Sequence, residues 1–213
     1  MMNEAKKIAY AKQAEGIIKG LAKRNMEGFY CATKEEAVEK VKELVEKGAS
    51  VTWGGSVTLS ESGVMDLLKN GDYDVLDRST AKTPEEQRAF YQKSVGADYF
   101  FMSTNAITLD GELVNIDGNG NRVACLIHGP KYVIVIAGVN KIVPDIESAV
   151  PRIRNVSSPA NAARLHPNTP CEMTGMCGDC QSPGCMCCEI VVTRRSRHEG
   201  RIKVILVGEE LGF

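Results

Sequence analysis

The first half of this chain repeats one unit: a short apolar run, then a hydroxyl residue with glutamate three positions on, then an amphipathic stretch. Gly28–Ala32 precedes Thr33–Glu36, Ala49–Trp53 precedes Thr58–Glu61, and Asp74–Leu76 precedes Thr83–Glu86. In such a capping box the hydroxyl and the carboxylate reciprocally satisfy backbone amides at a helix start, so each unit predicts a strand followed by a helix. Pro84 stands at the first helical position, where no amide hydrogen is needed. The helix opened at Thr33 carries Val38, Val41, Leu44 and Val45 on one face and stops at Gly48. The one opened at Thr58 ends near Asn70-Gly71, and Ile8, Ala11, Ile17, Ile18 and Leu21 give helical spacing over Asn3–Arg24. Alternating strands and helices argue for an α/β fold with a parallel sheet.

After residue 97 the rhythm changes. Asp98–Ser103 reads as a buried strand, and Asp110-Gly111 between Ala106–Leu109 and Glu112–Ile116 is a hairpin signal. Asp117–Asn121 makes another tight turn, leading into Arg122–Ile127. Tyr132–Ala137 is a nearly unbroken β-branched run, suited to a central strand covered on both faces. A helix is predicted over Pro144–Ile153, and strands resume at Glu189–Thr193 and Ile202–Val207. Between them, residues 155–188 show little periodicity and several prolines, so they read as a cysteine-rich insertion within a single domain spanning 1–213. A structureless stretch that long inside a compact domain is usually functional.

The insertion holds six of the eight cysteines: Cys171, Cys177, Cys180, Cys185, Cys187 and Cys188. The lysines dotted through the first 24 residues leave no apolar core for a secretory signal, so the expected compartment is the cytoplasm, where thiols stay reduced. Clustered cysteines there more often hold a metal than form disulfides. Cys177 and Cys180 make a CxxC pair, but tetrahedral zinc normally wants two such knuckles or added histidines, and His166 is the sole histidine nearby. An iron–sulfur cluster tolerates less regular spacing because its ligands bind separate corners of a larger object. The leading expectation is therefore an iron–sulfur cluster, with structural zinc, or a redox dithiol, as alternatives. Cys31 and Cys125 lie in strand patterns and read as packing residues.

A second candidate site is the loop Gly54-Gly55-Ser56-Val57-Thr58, joining a strand to a helix, together with Thr104 and Asn105 at the end of the Asp98–Ser103 strand. Open α/β sheets bind ligands at the carboxyl ends of strands. The loop lacks the third glycine of a dinucleotide fingerprint and the lysine of a phosphate-binding P-loop. Both a pocket for phosphate or carboxylate and a merely tight turn fit it. Asp117 does not open a calcium loop, since no glutamate follows at the twelfth position, and no nucleophile–histidine–acid arrangement is apparent.

The balance of charge narrows the partners. Lys plus Arg total 26 against 27 Asp plus Glu, for a formal net charge of -1, so the basic excess of a nucleic-acid binder is missing. The longest apolar run, Tyr132–Val139, is far shorter than the roughly 18 residues of a membrane span. The expected partners are a small anionic metabolite, a redox partner protein and a second copy of the chain, with neither nucleic acid nor membrane.

Five stretches together resemble the lactate-utilization (LUD) domain family: GGSVTLSESG from Gly54, GADYFFMSTNAITLDGELVNIDGNGNRV from Gly96, GPKYVIVIAGVNKIV from Gly129, PCEMTGMCGDCQSP from Pro170 and VILVGEELGF from Val204. The resemblance spans nearly the whole chain and is closest to a stand-alone subgroup with a cysteine-rich segment. It implies a mainly parallel sheet flanked by helices, akin to the NagB/RpiA/CoA-transferase superfamily. The subgroup's pattern PCxxTGxCxDCxSPxxxC falls on Cys171, Cys177, Cys180 and Cys187, as ligands of a 4Fe–4S cluster, with Cys185 or Cys188 as substitutes. The family name refers to conversion of lactate to pyruvate by a multi-subunit system, one subunit of which resembles a LUD domain fused to ferredoxin-type CxxCxxCxxxCP motifs. Those motifs are missing here, so electron transfer linked to oxidation of lactate or a similar small acid follows from fold-level analogy alone. An enzyme acting on a phosphorylated or CoA-linked metabolite, and a non-catalytic sensor or partner subunit, are the competing expectations.

Overall fold

The computed structural model describes residues 2–213, and within them the elements run α1 (Glu4–Lys23), β1 (Glu27–Cys31), α2 (Lys34–Leu44), β2 (Ser50–Trp53), α3 (Val57–Glu61), α4 (Val64–Asn70) and β3 (Asp74–Val75). The chain continues through α5 (Pro84–Val95), β4 (Tyr99–Met102), β5 (Ala106–Thr108), β6 (Leu113–Asp117), α6 (Asn121–Ile127) and β7 (Tyr132–Gly138). Then come β8 (Ile142–Val143), α7 (Ile146–Arg152), α8 (Ser158–Leu165), α9 (Pro170–Thr174), β9 (Glu189–Thr193) and β10 (Ile202–Val207).

Six strands form a wholly parallel sheet in the order β1-β10-β7-β4-β2-β3. The β-branched run of β7 occupies the middle, as its sequence demands: Val133, Val135 and Ala137 enter one core and Ile134 and Ile136 the other. β10 alternates in step, with Ile202, Val204 and Leu206 on the first face and Ile205 and Val207 on the second. Because side chains alternate with period two, a strand apolar at every position must be covered on both sides. On the first face lie Ala14, Ile17 and Leu21 of α1 and Cys125 and Leu126 of α6; on the second lie Ala37 and Val41 of α2, Leu59 of α3 and Leu68 of α4. Full burial of each such aliphatic side chain stabilises the fold by up to about 1.5–3 kcal/mol. Cys31 and Cys125 sit in these two cores, Cys31 on β1 but Cys125 on α6 and not in the strand its sequence pattern suggested.

A second sheet, β8-β5-β6-β9, packs Ile107 and Leu113 into the first core and Ala106, Val114 and Ile116 against Ala149 and Ile153 at α7. Its β5–β6 hairpin turns at Asp110-Gly111, where Gly111 takes a φ of 88°.

Three more local expectations need correction. The Thr83 box forms in full, with Thr83 Oγ accepting from the Glu86 amide and Glu86 reaching back to the Thr83 amide. The Thr58 box does not: Ser56 is the N-cap, accepting from the Leu59 amide, and Glu61 instead accepts from the Gly212 amide at 2.6 Å. The helix also breaks at Gly63, whose φ of 77° is a left-handed conformation that suits glycine, so α3 and α4 are separate. Finally, residues 155–188 are not structureless. A π-helical turn over Ile153–Ser157 passes into α8, and α9 begins with Pro170 in its first turn. The cysteine-rich segment lies between α8 and β9, so it leaves and rejoins the small sheet rather than trailing from it. Among the described residues no helix is long and apolar enough to cross a membrane.

Candidate functional site

Two cavities share part of their lining, and the larger one lies at the carboxyl ends of adjacent parallel strands. The larger, roughly 470 Å³, is lined from three of these strand ends: Gly55–Thr58 after β2, Ser103–Asn105 after β4, and Lys141 beyond β7. Its far side comes from the β6–α6 turn and from the π-helical turn and α8, including Ile153, Ser157, Ser158 and Asn161. Gly55, Ser56, Thr58, Thr104 and Asn105 thus share one cavity. Gly54 does not line it; a β-carbon there would meet the Arg122 side chain at 3.3 Å, so this glycine makes room for that arginine.

Arg122 braces the wall. Its Nε donates to Asp117 at 3.0 Å, one terminal nitrogen to the Ser103 carbonyl and Asn115 Oδ1, and the other to Asn105 Oδ1 and the Ile116 carbonyl. A guanidinium has five N–H donors, and all five are spent inside the protein. Burial lowers the Arg122 pKa and the Asp117 carboxylate opposes that. Asp117, 8% exposed, also accepts from the Asn119 and Gly120 amides, which ties the turn together. The hydroxyl of Thr104 is likewise committed, its one hydrogen directed to the Ala106 carbonyl at 2.9 Å with the Val114 carbonyl beside it at 3.3 Å. Arg152 joins two loops by donating to the carbonyls of Asn105 and Asn140 and to Ser157 Oγ.

Lys141 is different. It is 3% exposed, its Nζ lies 2.8 Å from both Thr58 Oγ1 and Ser103 Oγ, and among the described residues no carboxylate contacts it. Burial, then repulsion from Arg152 and Arg122, lowers its pKa to about 7, with Glu61 opposing the shift. Among the side chains lining the cavity four are cationic, Arg78, Arg122, Lys141 and Arg164, and one, Asp117, is a carboxylate. Nothing in the strand–turn pattern had marked Lys141. The available signal was its place just past the carboxyl end of the most apolar strand, where open α/β sheets bind ligands.

The smaller cavity, about 110 Å³, is lined by Cys171, Cys177, Cys180, Cys185 and Cys187, with Arg154, Ser158, Thr169 and Asp179 among them. Cys188 is exposed and lies outside this lining, its thiol donating to the Cys185 carbonyl. Four of the cysteines have a polar side chain at sulfur, and Cys185 accepts from the Cys187 amide at 3.4 Å. Arg154 Nε donates to Cys177 at 3.3 Å, and hydroxyls of Ser158, Thr169 and Ser182 lie 3.3–3.4 Å from Cys187, Cys171 and Cys180 respectively. Arg154 is itself held by Asp179. Hydrogen bonds from Ser182 lower the Cys180 pKa. At Cys185 the amide of Cys187 pulls the thiol pKa down, but burial and the neighbouring Cys180 and Cys187 leave it raised. By contrast Cys125, buried in the main core, is pushed up to about 11 by desolvation.

The loop closes by a tight approach: a β-carbon on Gly184 would lie 1.9 Å from the Pro167 carbonyl oxygen. His166 does not join the cysteines. It is exposed, takes a left-handed φ of 53° and pairs with Glu172 at 3.0 Å. Among the described residues no three Cys, His, Asp or Glu side chains converge tightly enough for a single ion. Five of the eight thiols line the smaller cavity. Ile116, Ser158 and Met186 line both cavities.

The LUD domain family model matches residues 14–207. The chain belongs to the LUD domain family. A crystal structure of a DUF162 family protein from Deinococcus radiodurans is similar to this LUD chain over 94% of its length and 98% of that chain, at 14% identity and a TM-score of 0.52. That is a likeness of fold. Ribose 5-phosphate isomerase A from Neisseria gonorrhoeae overlaps 54% of this chain and 56% of that one (17% identity, TM-score 0.35). The Plasmodium falciparum ribose 5-phosphate isomerase overlaps 52% of each chain (22% identity, TM-score 0.34). No curated protein sequence matches this LUD chain.

Proposed function

We propose that this LUD-domain chain is a cytoplasmic iron–sulfur protein that transfers electrons during oxidation of lactate or a similar small acid. Cys171, Cys177, Cys180 and Cys187 would hold a 4Fe–4S cluster, with Cys185 as the nearest substitute. The observation that carries the reading is the common wall: Ile116, Ser158 and Met186 separate a thiol-lined cavity from a polar one rich in positive charge. When bound, such a cluster supplies a one-electron couple whose potential depends on hydrogen bonds to sulfur and on solvent access.

The protein's own groups divide the remaining work. Arg154, Ser158, Thr169 and Ser182 orient and polarise the four sulfurs, as partners beyond the ligands do in metal sites generally. In the larger cavity the excess of cationic side chains favours an anion, and the fixed loops around Arg122 and Arg152 pre-organise its walls. Oxidation of a 2-hydroxy acid to the 2-oxo acid releases two electrons and two protons, so a redox partner protein must take the electrons one at a time.

The test combines a spectrum with a ligand screen on anaerobically purified protein. The reading requires a brown preparation that dithionite bleaches, with an electron-spin signal, and a melting point raised by lactate, since a ligand that binds only the folded state must stabilise it. A colourless protein holding stoichiometric zinc refutes the redox role. A shift with sugar phosphates or CoA esters but none with lactate favours a phosphorylated or CoA-linked substrate instead.

A further inference from the structure

Of the cations lining the larger cavity, Arg78 and Arg164 are exposed to water, whereas Lys141 is buried and has no ion partner among the described residues. Arg122 spends all five donors inside the protein and faces Asp117. Lys141 has three donors when charged, and two of them reach the hydroxyls of Thr58 and Ser103. The third finds no acceptor among the described residues, in a side chain that lines the cavity. A buried charge left without a counter-charge is costly, so the arrangement is one that an incoming oxyanion stabilises.

We propose that Lys141 is the group that grips the anion, its Nζ held by Thr58 and Ser103 so that the carboxylate of a small hydroxy or oxo acid becomes the ion partner the protein does not itself supply. This rests on the anion-pocket half of the reading above and is independent of the cysteines. The charged groups around Lys141 are Arg122 on α6, Arg152 at the end of α7, Glu61 at the end of α3 and Asp117 at the end of β6; Arg78, Arg164 and the last residue, Phe213, with its terminal carboxylate, line the same cavity. The cationic majority discharges Lys141 near neutrality in the free protein, and an anion in contact opposes that. Binding above neutral pH therefore takes up a proton. Affinity stays level below a pH of about 7 and falls above it by up to about tenfold per pH unit.

Calorimetric titration of the full chain, purified anaerobically with its bound metal, tests this with sulfate and with lactate, neither of which changes charge across the neutral range. The native protein, Lys141→Met and Lys141→Arg are compared at several pH values, with melting curves confirming that each variant folds. The native protein should bind both anions and lose affinity as pH rises through neutrality. Lys141→Met should bind roughly 10- to 100-fold more weakly with no such fall, and Lys141→Arg should retain binding with the fall moved beyond the range. A Lys141→Met variant that binds as tightly as the native protein, or keeps its pH dependence, overturns the assignment and leaves the anion pocket standing. A native protein that binds neither anion overturns both.

Discussion

Replacing Arg122 by Met tests whether the wall between β6 and α6 is held by charge or merely by packing. The side chain is flexible and of comparable length, so little volume is lost. What is lost is five hydrogen bonds of 2.7–3.1 Å and, among the described residues, the only cation in contact with Asp117. Breaking a buried pair while leaving one charge behind costs about 3–5 kcal/mol. The orphaned acceptors add to that, but those beside the cavity regain water, so about 4 kcal/mol is the working figure. Urea unfolding monitored by circular dichroism should show a midpoint lower by roughly 1.5 M. The double variant with Asp117→Asn should recover part of the loss, a coupling of about 1–3 kcal/mol, because the stranded carboxylate is gone. An Arg122→Met protein within about 1 kcal/mol of the native one, with no coupling to Asp117, would refute the reasoning.

Other outcomes follow from the same geometry. Gly184→Ala must displace the Pro167 carbonyl, 1.9 Å from where the new methyl would sit; iron content should fall, while the urea midpoint should move little because neither core is touched. Cys180→Ala should abolish cluster loading and Cys31→Ala should not, since Cys31 lies in the main core; equal iron in both variants contradicts the ligand set. Lys141 is charged in the unfolded chain and discharges near 7 when folded, so the unfolded state holds more protons and this residue's penalty on stability shrinks as pH rises from there. Lys141→Met should therefore be more stable than the native protein at neutral pH, by a margin that narrows by about 1.4 kcal/mol per pH unit above it; urea titrations at neutral and alkaline pH would expose a margin that stays constant. Thr83→Ala, which removes a formed capping box, should lower the unfolding free energy by about 1 kcal/mol, and an unchanged midpoint would show that α5 does not depend on its cap.

Wherever one periodicity dominated, the chain could be read directly. The apolar continuity of Tyr132–Gly138 and Ile202–Val207 announced strands covered on both faces, and those strands sit side by side at the centre of the sheet. The hairpin at Asp110-Gly111 needed only its two residues. Legibility failed where long-range partners redirected local chemistry. Glu61 looked like the carboxylate of a capping box, yet the amide of Gly212, far along the chain, captures it, and Ser56 caps the helix. The cysteine-rich segment looked structureless because proline interrupts its pattern, whereas Pro159 and Pro170 stand in the first turns of α8 and α9, where proline is welcome. The loop residues Gly55, Ser56, Thr58, Thr104 and Asn105 do share a cavity, but its most distinctive group, Lys141, was invisible because no local motif surrounds it. Its character comes from Thr58 and Ser103, contributed by separate strand ends, and from arginines on two helices.

The central claim is that the sulfurs ringing the smaller cavity hold an inorganic cluster. Iron and acid-labile sulfide analysis of the anaerobically purified chain tests it most directly. The account predicts about four iron and four sulfide per chain, with zinc well below one equivalent. Stoichiometric zinc without sulfide, or thiols that all react freely in a metal-free protein, would contradict it.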